Sequence, residues 1–334
     1  KTRFVLLLIS LFSLASIHAQ KLISKQEVIN KVLSDNSSIK MSQQDILMAK
    51  GDYNQTNAIL LPEISISHTG IATTNPLMAF GSKLNQELLT PSDFNPSLLN
   101  NPSQIEDYAT RLEIKQPLIN LDGFFQRKAA KAKLNAMNYQ AERTKDFIKL
   151  EVEKAYMQLQ LAYKGVDVLV IALKTANENK KLAENSYKQG YLQRADVLSV
   201  EVSVTEIKNQ LQTAKSNVEN SSNYLSFLMN TNTNTILKPT DSLTVSNVNL
   251  YANKKITENR SDIKAMHLAL NAYEAMNKAD KMAFLPRLNA FGSYELYDDK
   301  VFQGDANGYL FGAQLSWNIF EGSKRFGKAQ KSKA

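Results

Sequence analysis

The chain has 334 residues, 43% hydrophobic and 22% charged, enough apolar content for one large domain or two and too much for a disordered chain. Only 12 Gly and 8 Pro punctuate it, which favours long helices over a turn-rich β protein. The absence of Cys excludes disulfides, thiolate metal sites and cysteine nucleophiles together, and the formal charge of +8 is too dispersed for a nucleic-acid partner.

In chain order, residues 1–19 read as a secretory signal: Lys1-Thr2-Arg3, an apolar run from Phe4 to Ala15, then a small residue, Ala19, before Gln20. The run is short for a bilayer span, and no later segment offers ~20 consecutive apolar residues, so the exported chain has no transmembrane helix in prospect. Beyond the leader only His68 and His267 remain as histidines, far apart in sequence, and no nucleophile–base, metal or phosphate-loop constellation exists. An enzyme, a cofactor and a metal site are therefore not expected.

Residues 20–61 read as one helix, opened by the capping box Ser24-Lys25-Gln26-Glu27 and ended by Pro62. Residues 62–121 form a strand hairpin, with alternation at Ile64, Ile66 and His68, around a long Asn/Pro/Ser-rich outer loop from about Asn75 to Ile105. This plan recurs. Residues 251–285 are a second helix ending at Leu285-Pro286, and residues 286–320 a second hairpin, expected to turn near Asp305-Ala306-Asn307-Gly308. The exit Pro117-Leu118-Ile119-Asn120-Leu121-Asp122-Gly123 matches Ser316-Trp317-Asn318-Ile319-Phe320-Glu321-Gly322.

Between the repeats, residues 122–230 carry a heptad seam. Ile148, Val152, Ala155, Leu159, Ala162, Val166, Leu169, Leu173, Ala176, Ala183 and Tyr187 alternate steps of three and four, with Lys180 the one charged intruder. The pattern restarts as Val197, Val200, Val204, Ile207, Leu211, Ala214, Val218, Leu225 and Leu228, with Ser221 breaking it. The pair predicts an antiparallel coiled-coil hairpin with its tip near residues 188–196. Its first helix would be roughly 97 Å long at ~1.5 Å per residue. Residues 231–250 read as a linker or equatorial belt, too polar for a core element. Residues 321–334 read as the start of a second long helix.

In the last hairpin, Tyr309, Phe311, Ala313, Leu315 and Trp317 alternate with Leu310, Gly312, Gln314 and Ser316. One face is apolar and aromatic, the other small or polar, as in a barrel strand between lipid and water. Four strands cannot close a membrane barrel, which needs ~8 or more, so the barrel must be shared. Three protomers would supply twelve strands. The fold class expected is mainly α with membrane β: long antiparallel coiled-coil hairpins plus four strands per chain in a trimeric twelve-stranded outer-membrane barrel.

These features together resemble the TolC-like outer-membrane efflux proteins: the Leu-Pro turns at Pro62 and Pro286, the exits into Asp122-Gly123 and Glu321-Gly322, the opening Asn259-Arg260-Ser261-Asp262-Ile263, and above all the tip from Tyr187 to Leu198. Ser38 and Ser261 stand where similar proteins often carry Pro. The resemblance implies a homotrimer in the outer membrane of a Gram-negative bacterium, with a periplasmic extension. It would be a passive exit duct of a tripartite efflux or type I secretion system, served by an inner-membrane pump and a periplasmic adaptor.

On this resemblance Gly190, Tyr191 and Leu192 would meet the adaptor, and Asp196 would lie at the tunnel constriction with Arg194 and Tyr187 as tip partners. Tyr309, Phe311, Leu315 and Trp317 would face outer-membrane lipid. The local alternative for Asp196 is a helix N-terminal acid that interacts with the dipole. By analogy with residues 123–229 a second long hairpin should follow Gly322, so the chain is expected to be C-terminally truncated. The alternative function is an exported coiled-coil structural or interaction protein without a channel, which leaves the strand hairpins unexplained.

Overall fold

The computed structural model describes residues 20–232, 235–243 and 257–334; the predicted signal at 1–19, residues 233–234 and 244–250 of the polar stretch and 251–256 of the predicted second helix lie outside them. The described residues contain eight α-helices and six strands in two compact units. One unit takes in Asp45 and the described residues before it with Tyr139–Asp262, and the other Ile46–Asn138 with Ile263–Ala334.

In the first unit, helix α1 (Lys25–Asp35) opens on Ser24, whose side chain caps the Glu27 N–H while the Glu27 carboxylate accepts from the Ser24 N–H at 2.9 Å. The continuous helix expected up to Pro62 does not form. It breaks at Asn36, resumes as α2 (Ser37–Gln55) and tightens into a 3-10 turn at Thr56–Ile59. Asn36 is 6% exposed, and a buried amide must find partners. Its Oδ1 accepts from the Ser38 and Ile39 N–H groups at 2.9 and 3.3 Å, and its Nδ2 donates to the Leu228 carbonyl at 2.8 Å. Competition between side chain and backbone for these groups ends one helix and starts the next.

Helix α5 (Leu121–Lys188) has 68 residues and folds back onto α6 (Arg194–Leu228). The predicted seam is the packed one: Ile148, Val152, Ala155, Leu159 and Ala183 are buried from α5, and Val197, Leu211, Val218, Leu225 and Leu228 from α6. Lys180 reaches Glu201 of α6 at 3.4 Å and Glu184 of its own helix at 3.7 Å, so its charge is paired at the seam's edge.

The stretch expected to be too polar for a core element places one residue, Leu237, in the core. Strand β1 (Lys21–Ile23) pairs in parallel with β4 (Leu237–Pro239), and Leu237 joins the core with Ile23, Val28, Tyr156, Leu159 and Leu225. Polar side chains hold it there: Ser222 Oγ accepts from the Leu237 N–H at 2.8 Å, and the Tyr163 hydroxyl donates to the Leu237 carbonyl at 3.1 Å. The Tyr156 hydroxyl lies 3.1 Å from the Ile23 carbonyl and 2.9 Å from Asp241 Oδ2, and Gln160 donates to the Asp241 carbonyl at 2.8 Å. Burial first, then the Asp241 contact, raises the Tyr156 phenol. The Lys25 N–H, then the Tyr156 hydroxyl, lower the Asp241 carboxyl.

The second unit holds the four-stranded sheet, in order β2 (Glu63–Thr73), β3 (Ile105–Ile119), β5 (Arg287–Asp298) and β6 (Ala306–Ser316), antiparallel throughout. Pro62 and Pro286 stand immediately before β2 and β5, where a missing N–H costs no ladder bond. The repeat is visible in the elements: α2 begins at Ser37 and α7 (Ser261–Met282) at Ser261.

The β2–β3 connection is folded rather than loose. It carries α3 (Pro76–Asn85), a 3-10 turn at Pro91–Phe94 and the short α4 (Pro96–Asn100), with Phe80 and Phe94 in an edge-to-face contact at 5.6 Å. The β5–β6 turn lies at residues 299–305, earlier than expected. Ala306 and Asn307 already pair with Tyr297 and Leu296, and the reversal is made instead by Phe302, at φ +60°, and Gly304 against Leu296. Helix α8 (Lys324–Lys333) ends the described chain.

Candidate functional site

The strand registers divide the sheet into two chemically different faces. Leu315, Ala313, Phe311 and Tyr309 of β6 stand opposite Leu288, Ala290, Gly292 and Tyr294 of β5. These continue across β3 and β2 through Ile114 and Leu112 to Ile64 and Ile66. Over these positions the face is apolar or aromatic; Gln116 at one end and His68, Thr110 and Asn307 at the other are its polar members. The other face carries Glu63, Ser65 and Ser67; Arg111, Glu113 and Lys115; Arg287, Asn289, Ser293 and Glu295; and Gln314 and Ser316. On it Arg111 Nε meets Glu295 at 2.8 Å and the Tyr297 hydroxyl donates to Glu295 at 2.6 Å.

A sheet with one face largely apolar and exposed and the other rich in charged and polar residues suits lipid on one side and water on the other. The strands are 11–15 residues long, and a tilted strand needs ~9–11 to cross a bilayer. Among the described residues no helix is long and apolar enough to cross a membrane.

Tyr309, Phe311, Leu315 and Trp317 lie exposed. Trp317 sits just beyond the end of β6, with its indole N–H donating to the Phe284 carbonyl at 2.9 Å. Sequence alternation singled out Ile64, Ile66, Leu288 and Tyr294 without assigning them to this face, and did not name Leu112 and Ile114. Their alternation was there to read; the registers that align them were not.

Both outer strands of the sheet, β2 and β6, keep one edge free, each 11 residues long. At the base of the sheet Arg287 forms a two-pronged ion pair with the buried Asp122 where β3 has passed into α5, its Nε 3.0 Å from Oδ1. Both residues are near the turn-and-exit motifs, but their pairing across 165 positions left no sequence signal.

The tip of the α5–α6 hairpin is a backbone-capped turn. The Tyr191 N–H donates to the Ser186 carbonyl and the Gly190 N–H to the Tyr187 carbonyl, both at 2.9 Å, with Gly190 at φ +80°. This is a Schellman ending, which satisfies the last carbonyls of α5 and requires a left-handed residue. Tyr191 is 79% exposed, and Leu192 is partly so.

Asp196 closes the other side of the turn: its Oδ2 accepts from the Gln193 N–H at 2.9 Å and caps α6. It forms no ion pair with Arg194 among the described residues, and Tyr187, on α5, is not hydrogen-bonded to it. The three proposed constriction residues share the tip with no hydrogen bond or ion pair among them in one protomer, among the described residues.

Helix α5 also carries an apolar stripe absent from the sequence reading. Phe147, Leu150, Met157, Leu161, Val168, Ile171 and Leu182 follow a second heptad, offset from the first, and all are exposed. They lie on the side of α5 away from α6, as their offset from the buried seam requires.

The profile of the family described as "Outer membrane efflux protein" matches residues 28–231. No curated protein matches the sequence. Among solved structures, CusC superposes with a TM-score of 0.75 at 16% identity over 96% of this chain and 72% of its own. The Campylobacter jejuni CmeC outer membrane channel gives 0.76 at 19% over 92% and 64%. VceC from Vibrio cholerae gives 0.75 at 16% over 92% and 72%. At such identities the likeness is one of fold, and the chain spans about two thirds of these proteins' length. Those folds share the long helical hairpins and antiparallel strands described above. With its profile match covering more than half of the sequence, the chain belongs to the outer membrane efflux protein family, channels of the Gram-negative outer membrane that extend into the periplasm.

Proposed function

We propose that this protein is the passive outer-membrane exit duct of a tripartite efflux or type I secretion system, assembled as a homotrimer. The observation that carries this reading is the two-faced sheet with two free edges. Three copies supply twelve strands, and joining β6 of one copy to β2 of the next removes every edge while keeping lipid-facing and water-facing residues in register. The second heptad on α5 supports a helical wall: one seam pairs with α6, and the other is left for a neighbouring helix.

In this duct an inner-membrane pump and a periplasmic adaptor supply the energy and the connection, and Gly190, Tyr191 and Leu192 at the tip meet the adaptor. Exposed Tyr191 suits that role, since an aromatic side chain brings large contact area at small entropic cost. Asp196, Arg194 and Tyr187 belong to the tip constriction. Three symmetry-related Asp196 carboxylates would favour cations.

The test is native mass in mild detergent after extraction from the outer-membrane fraction, followed by conductance in planar bilayers. A trimer that conducts is expected. A stable monomer that needs no detergent would overturn the duct and favour the exported coiled-coil alternative.

A further inference from the structure

The two outer connections of the sheet leave it toward opposite faces. The short β5–β6 turn folds over the apolar face: the Phe302 ring stacks on His68 at 4.4 Å, and His68, whose Nδ1 lies 2.9 Å from Thr110 Oγ1, belongs to that face by register. The long β2–β3 connection goes the other way. Asp107 projects from the polar face, in register with Ile71 and two positions before Ala109, the partner of Tyr297. Ser82 Oγ donates to its Oδ2 at 2.8 Å and Gln86 Nε2 to its Oδ1 at 2.8 Å. The same Gln86 nitrogen lies 3.1 and 3.0 Å from the Glu106 and Asp298 carbonyls at the ends of two strands. Ala79, Ser82 and Gln86 are buried against the sheet, and Ala306, at the start of β6 on the polar face, is 1% exposed.

The segment is also braced within itself. Lys83 pairs with Asp93 at 2.7 Å, and Lys83 first, then Thr90, bring the Asp93 carboxyl down to about 2. Helix α3 ends in a Schellman turn that places Glu87, a non-glycine residue, at φ +58°. Opposite the anchored side of α3 stand Leu77 and Leu84, both exposed, separated from Ala79 and Ser82 by about half a turn.

We propose that residues 76–100 form a size-restricting plug inside the outer mouth of the barrel, hung from the wall by Asp107 and presenting Leu77 and Leu84 to the pore axis. The inference rests on the shared-barrel reading, because only closure of the sheet turns its polar face into a lumen. Three inward-hung helices would then set which solutes leave, by width and by an apolar rim that resists wetting. The specificity of the exit is assigned to a 25-residue insertion that the second repeat lacks.

The chain has no Cys, so a single cysteine reports without background. Ser67→Cys places a thiol on the polar face, mid-strand and exposed. In sealed vesicles that orient the outer mouth outward, a small charged methanethiosulfonate should label it freely, and a maleimide carrying a bulky polymer should label it about tenfold more slowly. The double change Asp107→Ala with Gln86→Ala should remove that difference. So should replacement of residues 76–100 by a short Gly/Ser turn, which keeps the test open if the anchor variant fails to fold. Equal labelling by both reagents in an intact wild-type trimer overturns the plug and leaves the duct standing. A wild-type chain that stays monomeric overturns the duct, and the plug with it.

Discussion

Gly190 shows how much one backbone angle can decide. It sits at φ +80° with no atom within 4 Å of where a Cβ would stand, so Gly190→Ala meets no steric wall and costs only the left-handed conformation. That cost is about 1 kcal/mol, and faster hydrogen exchange of the tip amides, with global unfolding little changed, is the expected sign.

Asp196 separates cap from charge. Asp196→Asn keeps a side chain able to cap and removes the ion, whereas Asp196→Ala removes both and should cost about 1 kcal/mol of tip stability. If the proposed carboxylate ring sets ion preference, both variants lose cation selectivity in bilayer recordings. Selectivity unchanged in Asn and Ala alike would reduce Asp196 to its cap.

Asp241 predicts a pH dependence. Its carboxyl is depressed by the Lys25 N–H and the Tyr156 hydroxyl, so the folded state binds fewer protons than the unfolded one. Its contribution is therefore complete above the ordinary aspartate pKa of ~3.9 and is lost as pH falls through the lower native value. In denaturant titrations the gap between wild type and Asp241→Asn should be full at neutral pH and close toward acid. A gap that widened in acid would contradict the sign.

Among the elements, the α5–α6 hairpin carries the clearest energetic contrast. Leu159 is fully buried on the inner seam and Leu161, two positions on, is 60% exposed on the outer one. Leu159→Ala should cost the protomer about 2–5 kcal/mol. Leu161→Ala should leave protomer unfolding nearly unchanged and weaken assembly, read as a lower trimer fraction by native mass.

That hairpin was also the most readable part of the chain, because a heptad over forty residues is a local pattern that burial repeats almost position by position. The N-terminal helix was not, since it is broken by the buried Asn36, whose side chain takes the Ser38 and Ile39 N–H groups and is held in place by the Leu228 carbonyl, 192 positions away. The same is true of Leu237. A lone strand in a polar stretch gives no periodicity, and its place in the core depends on Ser222, Tyr163 and a three-residue partner strand. Alternation identified the membrane strands. It could not say that one outer connection folds over the apolar face and the other over the polar face.

For the whole molecule, the free edges of β2 and β6 set the terms of assembly. Each exposes 11 residues of backbone flanked by Ile64, Ile66, Phe311 and Leu315, with no proline inside and no charged residue within β6. An edge of this kind accepts any strand offered to it, and proteins normally blunt such edges. This one is left sharp at both ends of the sheet, so a solitary protomer is primed for runaway stacking as well as for ring closure. Curvature alone tells the two outcomes apart. The chain therefore depends on meeting its neighbours at a lipid surface before it meets them in water: dilute delivery to a bilayer should yield rings, and concentration without one should yield β-rich aggregate.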